Sequence, residues 1–211
     1  MFTFGAKNTC MSNEKNRYHH GHLSESLLQA VDDIASQFGI EAVTLRACAK
    51  KVGVSPAAAF RHFQDKRALL TAFAARALNQ LADTLDSAEE QAREEEQDTF
   101  RAVGIAYLEF ALEKPALFRA MWREETIYSR DKDYLAAANR LVGYLKEGFA
   151  GTINDEDPND FSSHEMLAWS SVHGLANLFV DGPIAGEMER EQKLKLAESV
   201  LSELRGACSP S

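Results

Sequence analysis

Between Thr44 and Lys66 the chain reads TLRACAKKVGVSPAAAFRHFQDK. The residues here that can do chemistry donate hydrogen bonds and positive charge. Thr44, Arg46, Ser55, Arg61, His62 and Lys66 offer hydroxyl, guanidinium, imidazole and ammonium groups, the set that meets phosphate oxygens. Ala57 and Ala58 stand among them as small residues that let a helix lie deep in a groove of DNA, and Phe60 beside Arg61 is a further DNA-binding candidate. Arg61 carries the fork that matches the two major-groove acceptors of guanine.

Other chemistries find less support. His19, His20 and His22 are close in sequence, but no carboxylate or cysteine completes a metal set, so no metal site is expected. Ser170, Ser171 and His173 share one helical stretch, with Asp181 near its end. A serine and a histidine three apart can be neighbours, yet no nucleophile elbow precedes them. No phosphate loop or dinucleotide fingerprint occurs, so neither an enzyme nor a bound cofactor is expected. The three cysteines, Cys10, Cys48 and Cys208, are odd in number and widely spaced, and read as reduced thiols of a cytoplasmic protein. Met1 to Cys10 lacks the pattern of a signal peptide. The longest uncharged run, residues 166–180, is too short and polar for a bilayer and reads as a buried helix, so no membrane partner is expected.

The groups around Thr44 need helices to position them. Thr44 predicts the cap of a second helix with Leu45, Cys48, Ala49 and Val52 inward. Gly53 permits a left-handed turn, Val54 plugs the corner, Ser55 caps a third helix, and Pro56 suits its first position. That short helix buries Phe60 or Phe63 and exposes Ala57, Ala58 and Arg61. The unit is a helix-turn-helix, a common device for placing a helix in the major groove. Ahead of it, Leu23, Leu27, Val31, Ile34 and Phe38 form one stripe of a first helix over 18–38, ended by Gly39. Residues 40–43 read as an extended link. Residues 1–17, with Lys15 and Arg17, read as a disordered arm.

After Asp65 the pattern is helical to the end. Leu70, Phe73, Ala77, Leu81 and Leu85 stripe a long fourth helix over 66–93, and the acidic run 89–98 reads as a solvated helix end or loop. Phe100, Val103, Tyr107 and Phe110 mark a fifth helix, and Pro115 opens a short sixth. Leu135, Ala138, Val142, Leu145 and Phe149 mark a seventh. Residues 151–160 read as a loop. Ser162 with Glu165 predicts a capping box on an eighth helix, apolar on most sides and so enclosed by protein. Leu194, Ala197, Val200, Leu201 and Leu204 mark a ninth. Only five prolines interrupt 211 residues and no strand pattern of useful length appears. The expected fold is therefore all-α with about nine helices. It comprises the arm (1–17), a helix-turn-helix domain (18–65) and a larger helical body (66–211). Tyr107, Phe110, Phe118, Trp122, Trp169 and His173 are candidates to line a ligand pocket in that body, although aromatics at helical spacing also build ordinary cores.

Charge divides the same way. Residues 1–67 hold nine Lys and Arg against six Asp and Glu, a net of +3, which leaves −12 for the rest of a chain of net charge −9. A basic head on an acidic body touches nucleic acid with one end only.

The order of residues in VTLRACAKKVGVSPAAAFRHFQDKRALL, with YHHGHL before it, resembles the TetR/AcrR family of bacterial transcriptional regulators over about residues 18–81. Trp169 to Gly174 resembles the Trp-His-Gly stretch of one C-terminal subgroup. The resemblance implies a homodimer paired through its last two long helices, here about 162–181 and 187–205. Each subunit would place its third helix in half of a palindromic double-stranded operator. A small molecule in the body would swing the fourth helix and release the DNA, as for a repressor. Thr44, His62 and Lys66 match phosphate-contacting positions of the family, and Ser55, Ala57 and Ala58 match groove-facing ones. Phe60 stands where many members have tyrosine. Two other readings stay open: a regulator with no small-molecule inducer, and a helical protein-interaction module whose helix-turn-helix is a relic.

Overall fold

The computed structural model describes residues 14–148 and 161–208, with side chains described for 22–146 and 161–206. The arm over residues 1–13, the loop 151–160, Phe149 and Cys10 lie outside the described residues, as do the side chains of Lys15, Arg17, His19, His20 and Cys208. Nine α-helices and two single turns of 3-10 helix account for the regular structure, with no strand among the described residues. The chain divides into two compact units, 1–69 and 70–211.

The first unit contains α1 (Glu14–Phe38), α2 (Leu45–Val52) and α3 (Pro56–His62). α1 starts at Glu14, four residues ahead of the stripe-based expectation and inside the expected arm. Leu27 and Val31 of α1, Leu45, Cys48 and Ala49 of α2, and Ala59 of α3 are buried together with Val43. Residues 40–42 form a turn of 3-10 helix rather than an extended link, and only Val43 is extended, at φ −70 and ψ 123. Phe38 does not join the inward stripe: its ring is 66% exposed. It sits in the last turn of α1, directly before Gly39 at φ +82, where the chain leaves the helix axis.

The turn between α2 and α3 follows from short-range chemistry. Thr44 Oγ1 accepts the amide of Ala47, so one of the orphan donors at the start of α2 is satisfied. Gly53 closes α2 at φ 78 and ψ 28, the left-handed region that costs glycine least, and the Val54 amide returns to the Ala49 carbonyl at 2.9 Å. Ser55 Oγ then accepts the Ala58 amide at 3.2 Å, and Pro56 occupies the first helical position. Ala49 is fully buried where α2 packs on α3, so any longer side chain there would force the two apart.

α4 (Lys66–Glu94) begins in the first unit and runs on through the second. The second unit adds α5 (Thr99–Glu113), α6 (Pro115–Met121), α7 (Lys132–Gly148), α8 (Ser163–Val180) and α9 (Arg190–Cys208), with a 3-10 turn at Glu124–Thr126. α5 is its hub, packing on α6, α8 and α9. Gly104 permits close packing of α5 on α9: a Cβ there would stand 2.7 Å from Leu201 Cδ2. The predicted α4 stripe is buried throughout, from Leu70 to Leu85. The capping box on α8 is present, with Ser162 Oγ accepting the Glu165 amide and Glu165 Oε2 accepting the Ser162 amide. Within the single chain α8 is enclosed on one side only, where Glu165, Ala168, Ala176 and Phe179 are buried. Ser170 and Gly174 are exposed, and Met166, Leu167 and Leu178 are 43%, 43% and 44% exposed.

Candidate nucleic-acid interface and internal cavity

α3 has two distinct faces. Ala59 is fully buried and Phe63, just after the helix, is 8% exposed, so these two anchor α3 to α1 and α2. Ala57, Phe60 and Arg61 share the opposite face at spacings of three and four, and all three are exposed. Of the two phenylalanines the sequence offered to the core, Phe63 takes the place and Phe60 stays 46% exposed. Ala58 and His62 are half-buried beside that face, and Thr44, Arg46 and Ser55 are exposed. The two hydroxyls use an oxygen lone pair as helix caps and keep their own hydrogen to donate.

Lys66 has a tie that sequence spacing did not reveal. Its Nζ donates to the Glu41 carbonyl at 3.2 Å, pinning the start of α4 to the turn between α1 and α2. An ammonium has three hydrogens, so this bond leaves capacity for an anion. Lys51 pairs with Asp33 of α1 at 3.0 Å. The Lys51 hydrogen bond is the main reason the Asp33 carboxyl is held below the usual carboxylate range. Among the described residues no group of three or more His, Cys, Asp or Glu is placed to hold a metal ion. Cys48 is fully buried, and desolvation pushes its thiol up to about 11, far from a reactive thiolate.

The second unit holds a cavity of about 600 Å³. Its walls come from α4 (Leu85, Glu89), α5 (Phe100, Val103, Tyr107), α7 (Leu135, Ala138, Val142), α8 (Ala168, Trp169, Val172) and Leu201 of α9. Trp122, Glu124 and Ser129, from the segment between α6 and α7, complete one side. The lining is mostly apolar and aromatic. The Trp122 and Trp169 rings lie 5.7 Å apart, and Phe161 stacks obliquely on Trp169 at 5.8 Å. Of its charged members, Arg93 pairs with Glu89, and Arg205 lies over the Phe100 ring at 5.7 Å. Both arginines are more than half exposed.

The six aromatic and histidine candidates separate into two groups. Tyr107, Trp122 and Trp169 line the cavity. Phe110 and Phe118 are buried core, 2% and 3% exposed. His173 sits behind the lining, where Nδ1 meets the Tyr107 hydroxyl at 2.9 Å and the ring packs 5.4 Å from Phe118. Burial lowers the His173 pKa, so the neutral ring is favoured, and burial raises the Tyr107 phenol, which keeps its proton to donate. The seventh-helix stripe read from the sequence is largely the cavity wall: Leu135, Ala138, Val142 and Leu145 all line it, as do the buried Tyr134 and Leu141, while Ala137 of α7 is buried away from it.

α4 is fastened to the elements around the cavity at two places. Near its start the Thr71 hydroxyl oxygen accepts the Tyr128 amide at 2.9 Å, one residue from the lining Ser129. Further along, Arg140 of α7 bridges Asn79, Asp83 and Asp86, and the single Tyr144 O–H lies within hydrogen-bond reach of both the Ala82 carbonyl and Asp86. Neither tie has a signature in sequence, since the partners are 54 to 62 residues apart.

Comparison with known proteins matches both units. Residues 27–73 match the family described as bacterial regulatory proteins, tetR family, and residues 100–204 match the tetracyclin repressor-like C-terminal domain. Among curated relatives, the chain is 30% identical over 101 residues to the uncharacterized HTH-type transcriptional regulator YobS of Bacillus subtilis (strain 168). It is 31% identical over 112 residues to the nucleoid occlusion factor SlmA of Edwardsiella ictaluri (strain 93-146). These matches cover 47% and 51% of this chain and 51% and 54% of the relatives, so the chain spans about half the length of the curated relatives it matches. A protein of unknown function from Rhodococcus sp. RHA1 superposes with a TM-score of 0.68 at 28% identity, over 90% of this chain and 97% of that one. A TetR family transcription regulator from Marinobacter aquaeolei VT8 superposes with a TM-score of 0.59 at 21% identity, over 89% and 97%, a likeness of fold alone. No described helix is long and apolar enough to cross a membrane. With its helix-turn-helix, its helical body and both family matches in agreement, this chain belongs to the TetR family of transcriptional regulators.

Proposed function

We propose that the protein is a homodimeric repressor that binds a palindromic operator through α2 and α3 and leaves it when a small lipophilic molecule enters the cavity. The observation that carries this reading is the pairing, in one chain, of an exposed Ala57–Phe60–Arg61 face with an aromatic cavity of about 600 Å³. A volume of that size lies within the range of sites for drug-sized ligands, which favours a ligand-released regulator over one with no inducer. Thr44, Arg46, His62 and Lys66 fix the protein on the phosphates, while Ser55 faces the groove and Arg61 reads a base.

Dimerisation uses the open face of α8 and α9. Met166, Leu167, Leu178 and Leu196 are 38–44% exposed there, and the exposed Ser170 and Gly174 between them let a partner helix come close. Release uses α4, which contributes Leu85 and Glu89 to the cavity and is held at Thr71 by the segment that carries Ser129.

The test starts from duplexes selected out of a random library, followed by anisotropy titrations over a range of salt. Arg46 and Lys66 from two subunits predict a log–log slope of about −3 to −4. Binding indifferent to salt, or selection of no palindrome, overturns the reading. Candidate ligands are then screened by the fluorescence of Trp122 and Trp169, the chain's two tryptophans. A ligand that quenches both and leaves operator affinity unchanged overturns the release step.

A further inference from the structure

The exposed face of α3 is short of hydrogen-bonding groups. Pro56, Ala57 and Phe60 present only carbon beyond the backbone, and Arg61 is the one side chain on that face with a strong donor array. Phe63 and Ala59, not Phe60, fill the core on the other side of the helix, and nearly half of Phe60 is left open. An aromatic ring left 46% exposed beside a guanidinium loses apolar contact with water only if something apolar meets it. In the major groove the single apolar group on a base edge is the C5-methyl of thymine. No acidic residue lies within α3 to repel DNA, and Arg46 and Lys66 carry positive charge on the flanking helices.

We infer that Phe60, with Ala57 beside it, reads thymine methyl groups, so that each operator half-site carries thymine where the ring lands and a guanine where Arg61 reaches. The inference rests on the proposed DNA binding and adds to it the chemistry of sequence choice. Phosphate contacts by Thr44 and Lys66 set register, and discrimination at the ring's position comes from one methyl group rather than from a hydrogen bond. Adenine, guanine and cytosine offer no methyl there.

The experiment replaces thymine by deoxyuridine, one position at a time, in the half-site selected from the random library. The swap deletes the methyl and keeps every hydrogen-bonding atom. For the wild-type protein one or two positions lose affinity by about three- to fivefold, the value of one buried methyl-sized group. For Phe60→Ala those same positions become insensitive to the swap, while the salt slope is unchanged. Phe60→Tyr keeps the ring and places a hydroxyl at its tip, so it retains affinity but loses most of the preference for thymine over deoxyuridine. It also serves if Phe60→Ala fails to fold. Deoxyuridine tolerated at every position with normal salt-dependent binding overturns the methyl reading and leaves DNA binding intact. An equal deoxyuridine penalty in wild type and both variants shows that another group reads the methyl, and overturns the role of Phe60. Absence of binding to any duplex overturns the underlying DNA reading instead.

Discussion

Leu178→Glu is expected to split the dimer without unfolding the subunit. Leu178 is 44% exposed in the single chain, on the open face of α8 near Gly174. Burying a whole leucine side chain is worth about 1.5–3 kcal/mol, so covering the exposed fraction contributes about 0.7–1.3 kcal/mol. A two-fold interface uses each residue twice, which makes about 1.5–2.5 kcal/mol per dimer. Leu178→Ala therefore weakens association by about 10- to 60-fold. Leu178→Glu adds two carboxylates facing each other out of water and removes the dimer at micromolar concentration. Sedimentation velocity across a dilution series reads both effects. Thermal melting should change little, because the position is half open in the monomer. Phe38→Ser is the control: its ring is 66% exposed but lies in the first unit, so its loss leaves association unchanged. If neither Leu178 substitution shifts the dimer constant, or Phe38→Ser shifts it as much, pairing through α8 and α9 is refuted.

Three further outcomes follow from named contacts. Lys66→Ala lowers affinity for all duplexes alike and flattens the salt slope by about two per dimer, whereas Arg61→Ala changes which duplexes are selected; equal losses on matched and mismatched duplexes would contradict the base-reading role of Arg61. Thr71→Val removes the acceptor of the Tyr128 amide, costs about 1–3 kcal/mol in chemical denaturation, and weakens the ligand's effect on DNA more than ligand binding itself. His173 is held below the ordinary histidine value of about 6.5 by burial, so the unfolded chain binds its proton first as pH falls. Its contribution to stability is full above that value and declines below it, towards the lowered folded value. Melting temperatures at stepped pH should show a steeper acid decline for wild type than for His173→Gln, and identical profiles would exclude His173 as the source.

The parts of this molecule that were legible in sequence are those decided within four residues. Thr44, Ser55 and Ser162 announce their helices because a cap bonds an amide two or three positions on. Gly53 announces its turn because the left-handed backbone favours glycine. The cavity was less legible for a geometric reason. An apolar stripe such as Leu135, Ala138, Val142 and Leu145 has the same spacing whether it faces a packed core or a cavity. Phe110 and Tyr107 are one turn apart on α5, and only the neighbouring helices decide that the tyrosine reaches the lining and the phenylalanine does not. The same holds for α8, where apolar residues all round suggested enclosure. Within the single chain Met166, Leu167 and Leu178 are left 43–44% exposed, and spacing alone does not say which face of such a helix its own chain covers. Lys66 to Glu41 and Thr71 to Tyr128 are side-chain to main-chain bonds, and main-chain partners carry no residue type by which a sequence could disclose them.

α8 and α9 also bear on how a ligand would act. Ala168, Trp169 and Val172 of α8 line the cavity, while Leu167, Ser170, Gly174 and Leu178 lie on its open face. α9 repeats the arrangement, with Leu201 lining the cavity opposite Gly104 and Leu196 open. A helix is only about 10 Å across, and packed helices shift as rigid elements rather than deform. In the proposed dimer, a molecule that displaces Trp169 or Leu201 would therefore move the same helices that pair the two subunits. Release then has two routes, one along α4 through Thr71 and one across α8 and α9 to the twin subunit. Thr71→Val separates them. If the ligand still releases DNA from this variant at full strength, the signal crosses the dimer face; if release is lost while the ligand still binds, α4 carries it.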